Sequence, residues 1–98
     1  MTTEIIKNDE QTIINIAGRI DTITAPTLEN EINQVITDTT NLVLGFKDVE
    51  YVSSAGLRVL LGTQKKMQGI GSMKLTNVNE EVMDVLEMTG FADILVIE

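Results

Sequence analysis

The chain has 98 residues, 15 acidic against 7 basic side chains, a net charge of −8, no cysteine and no histidine. That length fits one domain, and the missing residues exclude disulfides, thiolate nucleophiles, Cys-based zinc sites, Ser-His-Asp triads and imidazole bases. The acidic balance, with only Phe46, Tyr51 and Phe91 as aromatics, argues against direct nucleic-acid binding, which needs cations and stacking platforms.

No apolar run approaches the ~20 residues that span a bilayer. Met1-Thr2-Thr3-Glu4 lacks the basic region and apolar core of a secretory signal. A cytoplasmic domain without membrane insertion is expected. Area scaling gives roughly 16,000 Å² for the unfolded chain and about 5,500 Å² for the folded one, enough burial for stability without staples.

Ile5-Ile6 followed by Asn8-Asp9-Glu10 predicts a short strand and a turn. Thr12 to Ala17 is rich in β-branched residues and stops at Gly18, predicting the hairpin partner. Pro26 suits the first turn of a helix, where its missing N–H has no partner to lose. Leu28, Ile32, Val35 and Ile36 then follow at helical spacing, and Asp38-Thr39-Thr40-Asn41 ends the helix. Leu42 to Phe46 is an apolar run without alternation, the pattern of a strand buried on both faces, followed by a loop from Lys47 to Val52.

A second helix starts at Ser53-Ser54, its predicted buried face holding Leu57, Leu60, Leu61, Gln64, Met67 and Gln68. Ala55, Arg58, Val59, Gly62 and Lys66 fall away from that stripe. The helix is expected to end at Gly69 or Gly71 through a left-handed glycine cap. Ser72 to Val78 alternates Met73 and Leu75 with Lys74 and Thr76, a half-exposed strand. Asn79 is placed to cap a third helix with Glu80 and Glu81 at its positive end and Gly90 beyond it. Ile94 to Ile97 is expected to close the chain as a strand. The order β-β-α-β-α-β-α-β predicts an α/β fold, a mixed sheet flanked by helices with right-handed parallel crossovers.

Scattered carboxylates read as a solvated surface, and no Asp-x-Asp spacing supports a magnesium site. Gly56, Gly62, Gly69 and Gly71 fit neither the Walker pattern nor the dinucleotide fingerprint. No cofactor, no metal and no enzymatic activity are expected. The Ser53-Ser54-Ala55-Gly56-Leu57 turn is more informative. Either serine can cap the helix by accepting a first-turn N–H. Either can also accept a phosphate, which the positive end of the helix favours.

Four segments carry a family likeness: Gly18-Arg19-Ile20-Asp21 with Thr24-Ala25; Asp48-Val49-Glu50-Tyr51-Val52; Ser54-Ala55-Gly56-Leu57 with Val59-Leu60-Leu61; and Met88-Thr89-Gly90-Phe91. In order and spacing they resemble the STAS domain, most nearly that of bacterial anti-sigma factor antagonists, and the likeness runs over nearly the whole chain. It implies a partner switch. Such proteins bind an anti-sigma factor that is also a serine kinase, are phosphorylated on a serine at the start of the second helix, and are restored by a serine phosphatase. The resemblance makes Ser54 the phosphorylated serine, with Ser53 the second choice. It places partner binding on Asp21, Thr22, Ile23, Ser53, Ser54, Ala55 and Gly56, to which the exposed-face pattern adds Arg58 and Val59. A constitutive STAS accessory subunit of a membrane transport or signalling complex is the alternative.

Two features depart from the family pattern. Ser53 stands where an aspartate is usual, and the chain ends at its last expected strand where many relatives continue into a further helix. From Tyr51 to Asn79 there is no acidic residue, yet Arg58, Lys65, Lys66 and Lys74 lie there. Small and apolar side chains beside cations suit a protein interface, although Lys65 and Lys66 equally complement the helix C-terminus.

Overall fold

The computed structural model describes residues 1–98, the side chain of Asp38 excepted. Strand β1 (Thr2–Lys7) and strand β2 (Gln11–Ile20) form the expected antiparallel hairpin. Its turn is closed by the Asn8 N–H donating to the Gln11 carbonyl at 2.8 Å. Helix α1 (Ala25–Val35) carries Pro26 in its first turn and runs into a 3-10 turn, Ile36–Asp38. It leads to β3 (Asn41–Val52), which lies parallel to β2. Helix α2 (Ser54–Gln68) then crosses to β4 (Ser72–Thr76), parallel to β3. Helix α3 (Glu80–Met88) and a 3-10 turn, Phe91–Asp93, follow. The strand order is β1-β2-β3-β4, and the folded chain exposes 5443 Å².

Alternation decides the layering. Ile14 and Ile16 of β2, Leu42, Leu44 and Phe46 of β3, and Met73 and Leu75 of β4 point to one side. There they pack with Leu28 and Ile32 of α1, Leu57, Leu60 and Met67 of α2, and Val82 and Leu86 of α3. Full burial of each such aliphatic side chain contributes roughly 1.5–3 kcal/mol. The intervening row, Glu4, Asn15, Gly45 and Thr76 in register, carries no large apolar side chain. The helices therefore cover one face of the sheet.

Several expectations need correction. β2 does not stop at Gly18; it passes through it with φ +97°, a conformation that L side chains rarely adopt, at a shift in the β2–β3 register. β3 likewise does not end at Phe46, because Asp48, Val49, Tyr51 and Val52 pair with Ala17, Gly18, Arg19 and Ile20. β4 stops at Thr76. Gly69 caps α2 with a right-handed φ of −86°, and the left-handed glycine is Gly90 after α3. The expected final strand is reduced to one bridge, Leu75 to Ile97, beside β4. With Gly90 and the 3-10 turn just before it, the Ile94–Ile97 run has little extended length left for pairing.

Candidate functional site

The carboxyl ends of β2 and β3 and the start of α2 meet at one end of the sheet, the usual place for a site in a parallel α/β arrangement. Ser53 follows β3 directly, in extended conformation with φ −87° and ψ 176°. Its N–H donates to the Ile20 carbonyl at 2.8 Å, tying the start of α2 to the end of β2. The Ser53 hydroxyl oxygen accepts the Gly56 N–H at 3.4 Å, so Ser53 is the helix cap. Ser54 is the first helical residue and is exposed; Ala55 is half-buried, and Gly56 and Leu57 are buried.

Gly56 is the reason the two segments lie so close. A methyl group on its Cα would stand 2.8 Å from Ile20 Cγ2, 2.9 Å from Val52 Cγ1 and 3.1 Å from the Ile20 carbonyl oxygen. Only hydrogen fits there without moving the helix.

The loop between β2 and α1 is built around Asp21. Its Oδ1 accepts the Ile23 and Thr24 N–H groups, both at 3.0 Å, and approaches the Thr24 hydroxyl at 3.2 Å. That hydroxyl donates to the Arg19 carbonyl at 2.8 Å and accepts the Asp21 N–H at 2.9 Å. The Thr24 N–H is the main cause holding the Asp21 carboxyl below its ordinary 3.8; partial desolvation opposes it, and the Ile23 N–H, the Thr24 hydroxyl and Arg19 reinforce it. Arg19 Nε lies 3.9 Å from Asp21 Oδ2, and its guanidinium sits 4.3 Å from the centre of the Tyr51 ring. The loop holds Thr22 and Ile23 outward, Ile23 at 85% exposure.

Of the residues singled out in the sequence, Asp21, Thr22, Ile23, Ser53, Ser54 and Ala55 gather here, with Arg58 exposed one turn along α2. Val59 does not join them. Its side chain packs in the core at 7% exposure, which corrects its placement on the exposed face. Gly56 is buried and acts in packing. Leu61 is only half-buried and Gln68 is exposed, while Thr63 is buried, so the buried arc of α2 is rotated towards α1. Lys66 Nζ donates to Asn33 Oδ1 of α1 at 2.8 Å across that contact. Two contributors stand in the motif segments of the sequence without a role assigned there, Thr24 as the lock of the loop and Tyr51 as the seat of Arg19. The Asp-x-x-Thr spacing carries a legible signal for the first, since side chains three apart at a helix entry exchange hydrogen bonds. The second depends on strand register and leaves no local trace.

Chemically, this end of the molecule presents the exposed Ser54 hydroxyl, the apolar tip of Ile23 and the Arg58 guanidinium, which has no partner among the described residues; such a mixture of groups suits contact with another protein. Among the described residues no group of three or more acids, histidines or cysteines is arranged to hold a metal ion. No helix among them is long and apolar enough to cross a membrane.

A one-layer-on-sheet α/β module with its candidate site at the β2, β3 and α2 junction describes the fold, and the chain belongs to the STAS domain family, whose pattern matches residues 2–98. It is similar to the anti-sigma-B factor antagonist of Bacillus subtilis, 37% identical over 94 residues that cover 94% of this chain and 85% of that one. Among solved structures, an anti-sigma factor antagonist from Mycobacterium paratuberculosis superposes with a TM-score of 0.89 at 27% identity, covering 98% of this chain and 83% of that one. The anti-sigma factor antagonist SpoIIAA in its unphosphorylated form shares the fold, with a TM-score of 0.85 at 18% identity over 99% of this chain and 88% of that one. SpoIIAA in its phosphorylated form gives 0.77 at 17% identity, over 99% and 91%.

Proposed function

We propose that this chain is an anti-sigma factor antagonist that docks on an anti-sigma factor with serine kinase activity, is released when Ser54 is phosphorylated, and is restored by a serine phosphatase. The observation that carries this reading is the division of labour between the two serines. The Ser53 hydroxyl is occupied as the cap of α2, while Ser54 is exposed beside it. The likeness to relatives named anti-sigma factor antagonists supports the partner class. Docking uses the outward loop at Thr22 and Ile23, held by Asp21, together with Ser54, Ala55 and Arg58.

A phosphate on Ser54 adds about −1.5 to −2 charges at pH 7. On the docking surface these charges must be desolvated when the partner binds, and burying unpaired charge is expensive. The modification is compatible with the fold, because Ser54 is exposed. Ser54→Asp is a weaker mimic, and Ser54→Ala binds constitutively.

Phosphosite mapping after incubation with ATP and the purified cognate anti-sigma factor kinase tests the assignment. The expected result is label on Ser54, retained in Ser53→Ala, with affinity reduced at least about tenfold, or ~1.4 kcal/mol. Label on Ser53 or on a threonine overturns the site. No label at all overturns the switch and leaves the constitutive accessory subunit as the reading.

A further inference from the structure

We propose that Arg58 is the intramolecular receptor of the phosphate on Ser54, so that phosphorylation withdraws from the docking face the cation that face offers a partner. The inference rests on the reading of Ser54 above and names how the same site is regulated. Ser54 and Arg58 are four residues apart in α2, and both are exposed. Positions i and i+4 share one helix face a single turn apart, and an anion N-terminal to a cation is the favourable order. A phosphoserine oxygen pair matches the planar fork of a guanidinium.

Arg58 is available for this task. It has no ion pair or hydrogen bond among the described residues. The other arginine, Arg19, is held by Asp21 and Tyr51. Lys65 and Lys66 lie about 16–18 Å from Ser54 along the helix axis at 1.5 Å per residue, and Lys66 is engaged by Asn33. No acidic residue occurs between Tyr51 and Asn79, so no carboxylate on α2 competes for the guanidinium.

In the unmodified protein Arg58 therefore faces solvent and is free to meet an acidic group of the partner. In the modified protein it turns back to the phosphate. Phosphorylation then acts twice, by adding anionic charge and by removing an interfacial cation. No covalent step beyond the kinase reaction is involved.

Phosphoserine is introduced genetically at position 54 of the full chain, alone and with Arg58→Gln or Arg58→Lys, and the phosphate is titrated by phosphorus NMR. Other charged or titratable groups at this end of the sheet are Asp21 and Arg19 at the end of β2 and Glu50 and Tyr51 at the end of β3. They are common to all three proteins and drop out of the comparison. The second phosphate pKa is expected to lie about 0.3 pH units lower with Arg58 in place than in the Arg58→Gln protein, and Arg58→Lys recovers part of the difference. Equal values in all three proteins overturn the contact.

Affinity for the anti-sigma factor, measured for each protein with and without the phosphate, tests the withdrawal. The phosphorylation penalty is expected to shrink about threefold in Arg58→Gln. An unchanged penalty overturns it. If the titration shows the contact but the kinase never labels Ser54, the reading of Ser54 as the acceptor fails while the Arg58 contact stands.

Discussion

Replacing Gly56 by alanine adds one methyl group at the junction of β2, β3 and α2, and its effect follows from the packing there. In an open helix interior the change is favourable, because alanine exceeds glycine in helix propensity by about 0.8–1.0 kcal/mol. At Gly56 the new methyl meets Ile20 Cγ2 at 2.8 Å, Val52 Cγ1 at 2.9 Å and the Ile20 carbonyl oxygen at 3.1 Å. Two of these atoms belong to β-branched side chains with stiff χ1, and the third is backbone held by the Ser53 N–H. None can rotate aside, so the first turn of α2 must lift, and such overpacking costs about 1–3 kcal/mol. Set against the propensity gain, the balance is a net loss of up to about 2 kcal/mol, with a fall in Tm of roughly 4–8 °C per kcal/mol for a domain of this size. Gly62, in the same helix with nothing within 4 Å of its added methyl, is the control, and Gly62→Ala is expected to gain about 0.5–1 kcal/mol. Urea unfolding at constant slope measures both. A Gly56→Ala protein as stable as Gly62→Ala would refute the close approach of α2 to the end of β2.

Arg58→Glu is expected to weaken anti-sigma factor binding measurably while changing stability by no more than about 0.5 kcal/mol, since the residue is exposed; an unchanged dissociation constant in calorimetry removes α2 from the interface. Asp21 has a folded-state pKa below its ordinary 3.8, so its hold on the loop is fully present above that value and is lost as pH falls through the depressed one. Amide exchange at Ile23 and Thr24 is therefore expected to remain protected at pH 5 and to lose protection only in strong acid, and Asp21→Ala, which removes the acceptor of both N–H groups, is expected to be unprotected at both. Gln64 is buried on α2 with an Oε1 that has no hydrogen-bond partner among the described residues. Gln64→Met removes that unsatisfied acceptor and is expected to raise stability by about 1 kcal/mol, with a lower urea midpoint counting against the orphaned acceptor.

Local chemistry carried much of this fold into view. Pro26, the Leu28–Ile32–Ile36 stripe, the Asn79 cap and the Met73–Leu75 alternation each act within a few residues, and each is found where the pattern puts it; the cap of α2, open between two serines in the sequence, falls to Ser53. The misreadings all arise where a distant segment decides. Gly18 reads as a strand stop, yet a positive-φ bulge carries β2 onward because β3 supplies the pairing. Lys47 and Asp48 interrupt the apolar run of β3, but they face solvent on a strand whose hydrogen bonds continue beside them. Val59 lies off the buried stripe on a lone helical wheel and is nonetheless core, because α1 packs beside α2 and widens the buried arc. At the candidate site the serine turn and the Asp21 loop were legible as motifs. Their closeness was not, since it depends on the Ser53 to Ile20 hydrogen bond between segments far apart in the chain.

The Ser53 departure from the family pattern takes on a physical meaning at that junction. A serine at the cap position satisfies one first-turn donor as a neutral acceptor, at the long distance of 3.4 Å. An aspartate there would cap with a full negative charge and gain from the helix dipole. It would also stand next to any phosphate on Ser54 and repel it. With Ser53 the start of α2 carries no acidic residue in its first turn, so the phosphorylated state loses no stability to a carboxylate at position 53. The cap is weaker, and the modified state is correspondingly less opposed. The substitution therefore shifts the balance of the proposed switch towards its phosphorylated side, through charge alone and without altering the backbone geometry that presents Ser54.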